Sequence, residues 1–137
     1  MSDSTATAGT VIDAPIEHVR EALLSATLLP EWNPAFVKVE GTPRAVAGAE
    51  YRLETIRGLR GALTYTYIDG EAITISWRVT GLSETGEWQL TRLDASRQTR
   101  VTHAVERDGP LALLLGHTLG TLPSLRLERL AQRVSGS

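Results

Sequence analysis

The clearest pattern in the chain is a strict alternation in its middle. Ile73, Ile75, Trp77 and Val79 are apolar, while Thr74, Ser76, Arg78 and Thr80 between them are polar. A period of two puts one set on each face of a β-strand. Weaker strands are expected at Val37–Glu40, Glu50–Ile56, Ala62–Ile68, Gly86–Leu93 and Thr99–Arg107. Turn residues separate them: Pro43, Gly48, Gly58, Gly61, Asp69-Gly70, Gly81 and Asp94. Such short connections imply antiparallel neighbours. The flanks read differently. Thr5 to Asp13 is a first strand with poor alternation. Ile16, Val19 and Leu23 then recur at helical spacing, with His18 and Glu21 off that face. Pro15 suits the first helical position with Ala14 as N-cap, and Glu17 then falls where a negative charge favours the helix. After Gly109-Pro110 the helical period returns, with Leu115, Leu119, Leu122, Leu130 and Val134 as the buried positions. Pro123 must kink that helix or begin a second segment.

Strand, two short helices, six strands and a long C-terminal helix make an α+β layer architecture. At 137 residues the chain is expected to be one domain spanning 1–137, frayed at 1–4 and 135–137. Without cysteine it has no disulfide or thiolate chemistry. The net charge of -2 comes without a block of one sign, which argues against nucleic acid as a partner. The longest apolar run, Leu111 to Leu115, is too short for stable membrane insertion. No basic region followed by an apolar run lies near the N-terminus, so a cytoplasmic location is the default expectation.

Hairpin register indicates which side chains point inward. If Asp94-Ala95-Ser96-Arg97 is the last turn, Arg92 faces Thr99, Leu90 faces Val101 and Trp88 faces His103. Trp88, Leu90, Val101 and Val105 then share an inner face with Arg92 and His103. The Asp69-Gly70 hairpin has two readings. A two-residue turn puts Thr64 and Thr66 beside Ile73 and Ile75. A three-residue loop with Gly70 left-handed puts Tyr65 and Tyr67 there, and is favoured because it gives a continuous apolar face.

Each candidate carries a bland alternative. Trp32 caps a cavity mouth or anchors the core. Asn33 offers an amide to a ligand or starts a turn before Pro34. Trp77, Trp88, Tyr65, Tyr67 and Tyr51 form an aromatic pocket or fill a closed core. Phe36 opens the period-two region and joins the same set. His103 is a general acid or base, or a structural imidazole, with no carboxylate partner evident in its strand. Arg92 binds an anionic oxygen, or snorkels out at the strand end. His18 and His117 lack partners at metal-ligand spacing. No phosphate loop, nucleophile elbow, zinc helix or dinucleotide fingerprint is present, so no cofactor and no metal are expected.

Val11-Ile12-Asp13-Ala14-Pro15-Ile16-Glu17-His18-Val19, running on to Leu29-Pro30-Glu31-Trp32-Asn33-Pro34, resembles the opening of the START-like (SRPBCC) superfamily, and its polyketide-cyclase/dehydrase branch in particular. Gln98-Thr99-Arg100-Val101-Thr102-His103, leading through Gly109-Pro110-Leu111 into the last helix, is similar to the family's ending. The resemblance implies a helix-grip fold, a seven-stranded antiparallel sheet wrapped around a long C-terminal helix, with two short helices after the first strand. It also implies a deep cavity, expected to hold roughly 300 Å³ or more, for a hydrophobic or aromatic small molecule. The implied activity is cyclisation or dehydration of a polyketide-like substrate, with His103 and Arg92 as the catalytic candidates. Trp32, Asn33, Phe36, Tyr51, Tyr65, Tyr67, Trp77, Trp88, Leu90 and Val101 are the ligand-binding candidates. The competing readings are a non-catalytic carrier or sensor of a lipid or other apolar metabolite, and an accessory protein with a closed core. A monomer and a homodimer are both compatible with the sequence.

Overall fold

A computed structural model describes residues 4–93, 97–114 and 120–135. The strands are β1 (Ser4–Ile12), β2 (Phe36–Glu40), β3 (Glu50–Thr55), β4 (Arg60–Ile68), β5 (Ala72–Val79), β6 (Leu82–Arg92) and β7 (Thr99–Asp108). They form one seven-stranded antiparallel sheet in the order β1-β7-β6-β5-β4-β3-β2. Between β1 and β2 lie α1 (Ile16–Leu24) and a 3₁₀ turn at Ala26–Glu31. After β7 come α2 (Pro110–Leu114) and α3 (Leu122–Ser135). This is the helix-grip α+β arrangement.

Amphipathic spacing explains how the helices sit. Ile16, Val19, Leu23 and Leu24 bury one face of α1, while His18 and Glu21 stay exposed. The helix begins one residue later than expected, since Pro15 is extended (φ -63°, ψ 153°) and acts as the N-cap itself. α3 packs against β1, β7 and α1, burying Pro123, Arg126, Leu127 and Leu130. Pro123 therefore starts a separate helix near its first turn, where its missing N–H costs nothing. Leu115, Leu119 and His117 lie outside the described residues.

Two expectations about strands are corrected. β6 begins at Leu82, not Gly86, because Thr80-Gly81 makes a tight reversal with Gly81 left-handed (φ 83°). The end of β7 folds onto this reversal. Leu111 N–H donates to the Gly81 carbonyl at 3.0 Å, and a Cβ on Gly109 would lie 2.4 Å from that same oxygen. Only glycine permits so close an approach there. The second correction concerns the Asp69-Gly70 loop. Gly70 is not left-handed; instead Asp69 Oδ1 accepts the N–H groups of Glu71 and Ala72 at 2.8 and 2.7 Å. Tyr65 faces Ile75, but a bulge follows, and Tyr67 then pairs with Thr74. The extra residue reverses the alternation. Tyr67 is thus half exposed and donates its hydroxyl to Asp69 at 2.6 Å.

The last hairpin has the expected register: Trp88 opposite His103, Leu90 opposite Val101, Arg92 opposite Thr99. The proposed turn residues Asp94, Ala95 and Ser96 lie outside the described set.

Candidate functional site

Where the inner faces of β5, β6 and β7 meet α3, four polar side chains are buried together. Period two along β6 brings Glu84 inward in step with Leu82, Gly86, Trp88 and Leu90. The same period along β7 brings in Val101, His103, Val105 and Arg107. Arg126 stands one helical turn from both Leu122 and Leu130, so α3 delivers it to the same point. Glu84, His103, Arg107 and Arg126 are each at most 3 % exposed.

The Glu84 carboxylate is the hub. Its Oε2 accepts Arg126 Nη1 at 2.8 Å and Trp77 Nε1 at 2.9 Å. Its Oε1 accepts Arg107 Nε at 2.8 Å and Arg126 Nη2 at 3.3 Å. Burial alone would raise the Glu84 pKa, but the Arg126 and Arg107 guanidiniums outweigh it and hold the carboxyl below its usual range. Arg107 is moved down from the usual guanidinium value by burial, with Glu84 opposing the shift.

His103 is fixed at both ring nitrogens. Nδ1 lies 3.2 Å from the Glu87 carbonyl, and Arg126 Nη1 lies 3.0 Å from Nε2. A carbonyl only accepts and a guanidinium only donates, so the ring is neutral with its proton on Nδ1. Burial and then the adjacent Arg126 charge push its pKa down to about 3. Gly86 makes room for the ring: a Cβ there would lie 3.1 Å from His103 Cε1.

Aromatic side chains wall this cluster. The His103 ring stacks on Trp88 at 3.7 Å between centroids and 14° between planes. Trp88 meets Trp32 edge-on at 5.6 Å, and Phe36 meets Trp77 edge-on at 5.5 Å. Asn33 Oδ1 accepts the Ala35 N–H at 3.1 Å and Arg126 Nε at 3.3 Å. That amide thus both closes the turn and orients the arginine.

Asn33, Phe36, Ile75, Trp77, Glu84, Gly86, Trp88, His103 and Arg126 enclose a cavity of about 10 Å³. This overturns the expected volume of roughly 300 Å³ for the interior formed by the described residues. The space is near the minimum for a single water, because Trp77, Trp88, Phe36 and the imidazole fill it. Larger hollows lie at the surface. One of about 250 Å³ lies between α1, the 3₁₀ turn and the end of α3; one of about 530 Å³ lies between β1 and α3.

The structure brings Asn33, Phe36, Trp77, Trp88 and His103 together at the cavity. Leu90 and Val101 are buried in the adjoining core, and Trp32 supports Trp88 from behind. Tyr51 and Tyr65 are buried apart from the cluster, edge-on to each other at 6.1 Å. The Tyr65 hydroxyl donates to the Leu23 carbonyl at 2.5 Å, and the Tyr51 hydroxyl shares a hydrogen bond with Thr42 Oγ1 at 2.7 Å. Two candidates fall outside. Tyr67 is turned to the surface by its bulge. Arg92 is exposed at the strand end, its Nη2 on Glu17 of α1 at 2.8 Å, so its charge is satisfied away from the cavity. Glu84, Arg107 and Arg126 were missed by reasoning on the sequence. Their signal was positional: each continues an inward period with a charged residue. His103 accordingly has a carboxylate within its network, reached through Arg126. Among the described residues no group of three or more His, Asp or Glu is placed to hold a metal ion. No helix among them is long and apolar enough to cross a membrane.

Comparison with solved structures finds the same fold across the whole chain. A protein from Mesorhizobium loti superposes with a TM-score of 0.78 at 15% identity, covering 97% of this chain and 98% of that one. Truncated norcoclaurine synthase from Thalictrum flavum gives 0.73 at 10% identity, covering 98% and 94%. A START superfamily protein from Mycobacterium smegmatis gives 0.71 at 17% identity, covering 96% and 97%. No curated protein matches the sequence. A family model described as polyketide cyclase / dehydrase and lipid transport matches residues 4–135. With that match over nearly its full length and a helix-grip fold like that of the START superfamily protein, the chain belongs to the polyketide cyclase / dehydrase and lipid transport family.

Proposed function

We propose that the protein binds an apolar or aromatic small molecule between the sheet and α3, and that it acts on a polyketide-like substrate in the manner of a cyclase or dehydratase. One observation carries this reading: among the described residues, two guanidiniums, a neutral imidazole and an aromatic wall converge at one buried point, with one carboxylate, Glu84, to balance them. Holding a flexible chain so that its reacting carbons are adjacent supplies the proximity effect. Arg126, in place of Arg92, is the group that stabilises an enolate oxygen as charge develops there. His103 serves as the acceptor that positions Arg126. With both nitrogens engaged and a pKa of about 3, it is not a general base at neutral pH in this conformation. On this reading the cavity of about 10 Å³ must widen to admit a ligand, which moving α3 away from the sheet would do.

The second reading is a carrier or sensor, which needs the same site and no proton transfer. It is favoured by the depressed pKa of His103. Native mass spectrometry of freshly purified protein tests binding itself. An adduct retained by wild type and lost in Trp88→Ala supports the ligand reading. A bare protein whose tryptophan fluorescence ignores millimolar 2-naphthol refutes it and leaves the closed-core accessory role. Turnover of a poly-β-ketone analogue that falls in Arg126→Lys separates cyclase from carrier.

A further inference from the structure

Arg107 has more donors than the cluster can accept. Its side chain is fully buried, and Nε alone is bonded, to Glu84 Oε1 at 2.8 Å. Among the described residues neither Nη1 nor Nη2 has a hydrogen-bond partner. The neighbouring acceptors are already used. A carboxylate offers about four lone-pair positions. Those of Glu84 take Arg107 Nε, Arg126 Nη1, Arg126 Nη2 and Trp77 Nε1. The Nε2 of His103 takes Arg126, and its Nδ1 is a donor. Asn33 Oδ1 takes Arg126 and the Ala35 N–H. Two guanidiniums, one carboxylate and a neutral imidazole leave a net charge of about +1 in a water-poor interior, where unpaired charge is costly.

We propose that Arg107 is an anion subsite: the molecule this protein binds carries one carboxylate-type anion, whose two oxygens accept Nη1 and Nη2 of Arg107. The chemistry fits the count. A monoanion neutralises the residual charge, and a planar carboxylate matches the fork of a guanidinium. Glu84 both accepts Arg107 Nε and lines the aromatic cavity, so one side chain separates the guanidinium from the space beside Trp77 and Trp88. This inference rests on the ligand-binding reading above and deepens it from an apolar ligand to an apolar acid.

The test compares 2-naphthoate with its neutral isostere 2-naphthamide, by calorimetry and tryptophan fluorescence at pH 7.5 and fixed ionic strength. Wild type is expected to bind naphthoate roughly 10- to 100-fold more tightly, the scale of hydrogen bonds to a charged group. In Arg107→Gln the two affinities should converge within about twofold while that for naphthamide is kept. Arg107→Lys keeps the charge but not the fork, and should retain only part of the preference. A direct reading on wild type needs no variant: arginine Nη–H resonances should shift with naphthoate and not with naphthamide. Equal affinity of wild type for both probes, or a preference that survives Arg107→Gln, overturns the subsite while leaving the ligand reading intact. If neither probe binds, both fall together.

Discussion

Acid should destabilise this protein through His103 before it reaches the carboxylates. The buried imidazole stays neutral down to about pH 3, whereas in the unfolded chain it titrates near 6.5. Below about pH 6.5 the unfolded state therefore takes up a proton that the folded state refuses, and stability falls as pH falls. The slope approaches about 1.4 kcal/mol per pH unit, so the loss between pH 6.5 and 4.5 is about 2–3 kcal/mol. Glu84 acts lower. Its pKa is depressed, so its contribution is present above the ordinary carboxylate value and is lost as pH falls below that value toward the lowered folded-state pKa. Urea midpoints measured at pH 7.5, 6.5, 5.5 and 4.5 for wild type and His103→Gln isolate the imidazole. The other two histidines are common to both proteins. The wild-type curve should fall more steeply by that amount. Parallel curves would refute the assignment of a neutral, desolvated His103.

Other substitutions probe the same design. Arg126→Met strips Glu84 of its principal counter-charge and should cost about 3–5 kcal/mol, read as a melting temperature lower by about 10–20 °C; a change under 1 kcal/mol would mean that the carboxylate is not held as described. Arg92→Ala removes only an exposed pair with Glu17 and should move the urea midpoint by less than about 0.5 kcal/mol and leave ligand affinity unchanged; a loss of binding would return Arg92 to the site. Arg57 is a non-glycine residue in the left-handed region (φ 70°), beside Gly58 in the β3–β4 turn. Arg57→Asn should raise stability by about 0.5–1 kcal/mol by calorimetry, since asparagine tolerates that conformation better.

The architecture was legible because most of its burial is apolar. The alternation around Trp77 and the helical spacing of Ile16, Val19 and Leu23 encode their faces directly. The candidate site was only half legible for the same reason. A rule that equates inward with apolar finds Trp88 and passes over Glu84, which sits in a Leu82-Ser83-Glu84-Thr85 stretch that reads as a connection. Arg107 and Arg126 likewise extend apolar stripes with charge, and each alone looks like a break in the stripe. Only the pairing of three strands with α3 shows that the breaks coincide. Tyr67 was misplaced because one bulged residue inverts a strand face, and nothing in Thr66-Tyr67-Ile68 announces it. The cavity was overestimated because its volume depends on how far Trp77, Trp88 and Phe36 reach inward, which spacing does not express.

The position of Arg126 in the chain also bears on synthesis. Glu84 emerges from the ribosome long before the helix that carries its main counter-ion, and β1 must wait for β7, the strand beside it in the sheet. A nascent sheet can bring Arg107 to Glu84 but cannot yet give the imidazole of His103 its donor. Pairings this distant in sequence make for slow closure. A chain that lacks α3 therefore offers Glu84 the guanidinium of Arg107 but not that of Arg126.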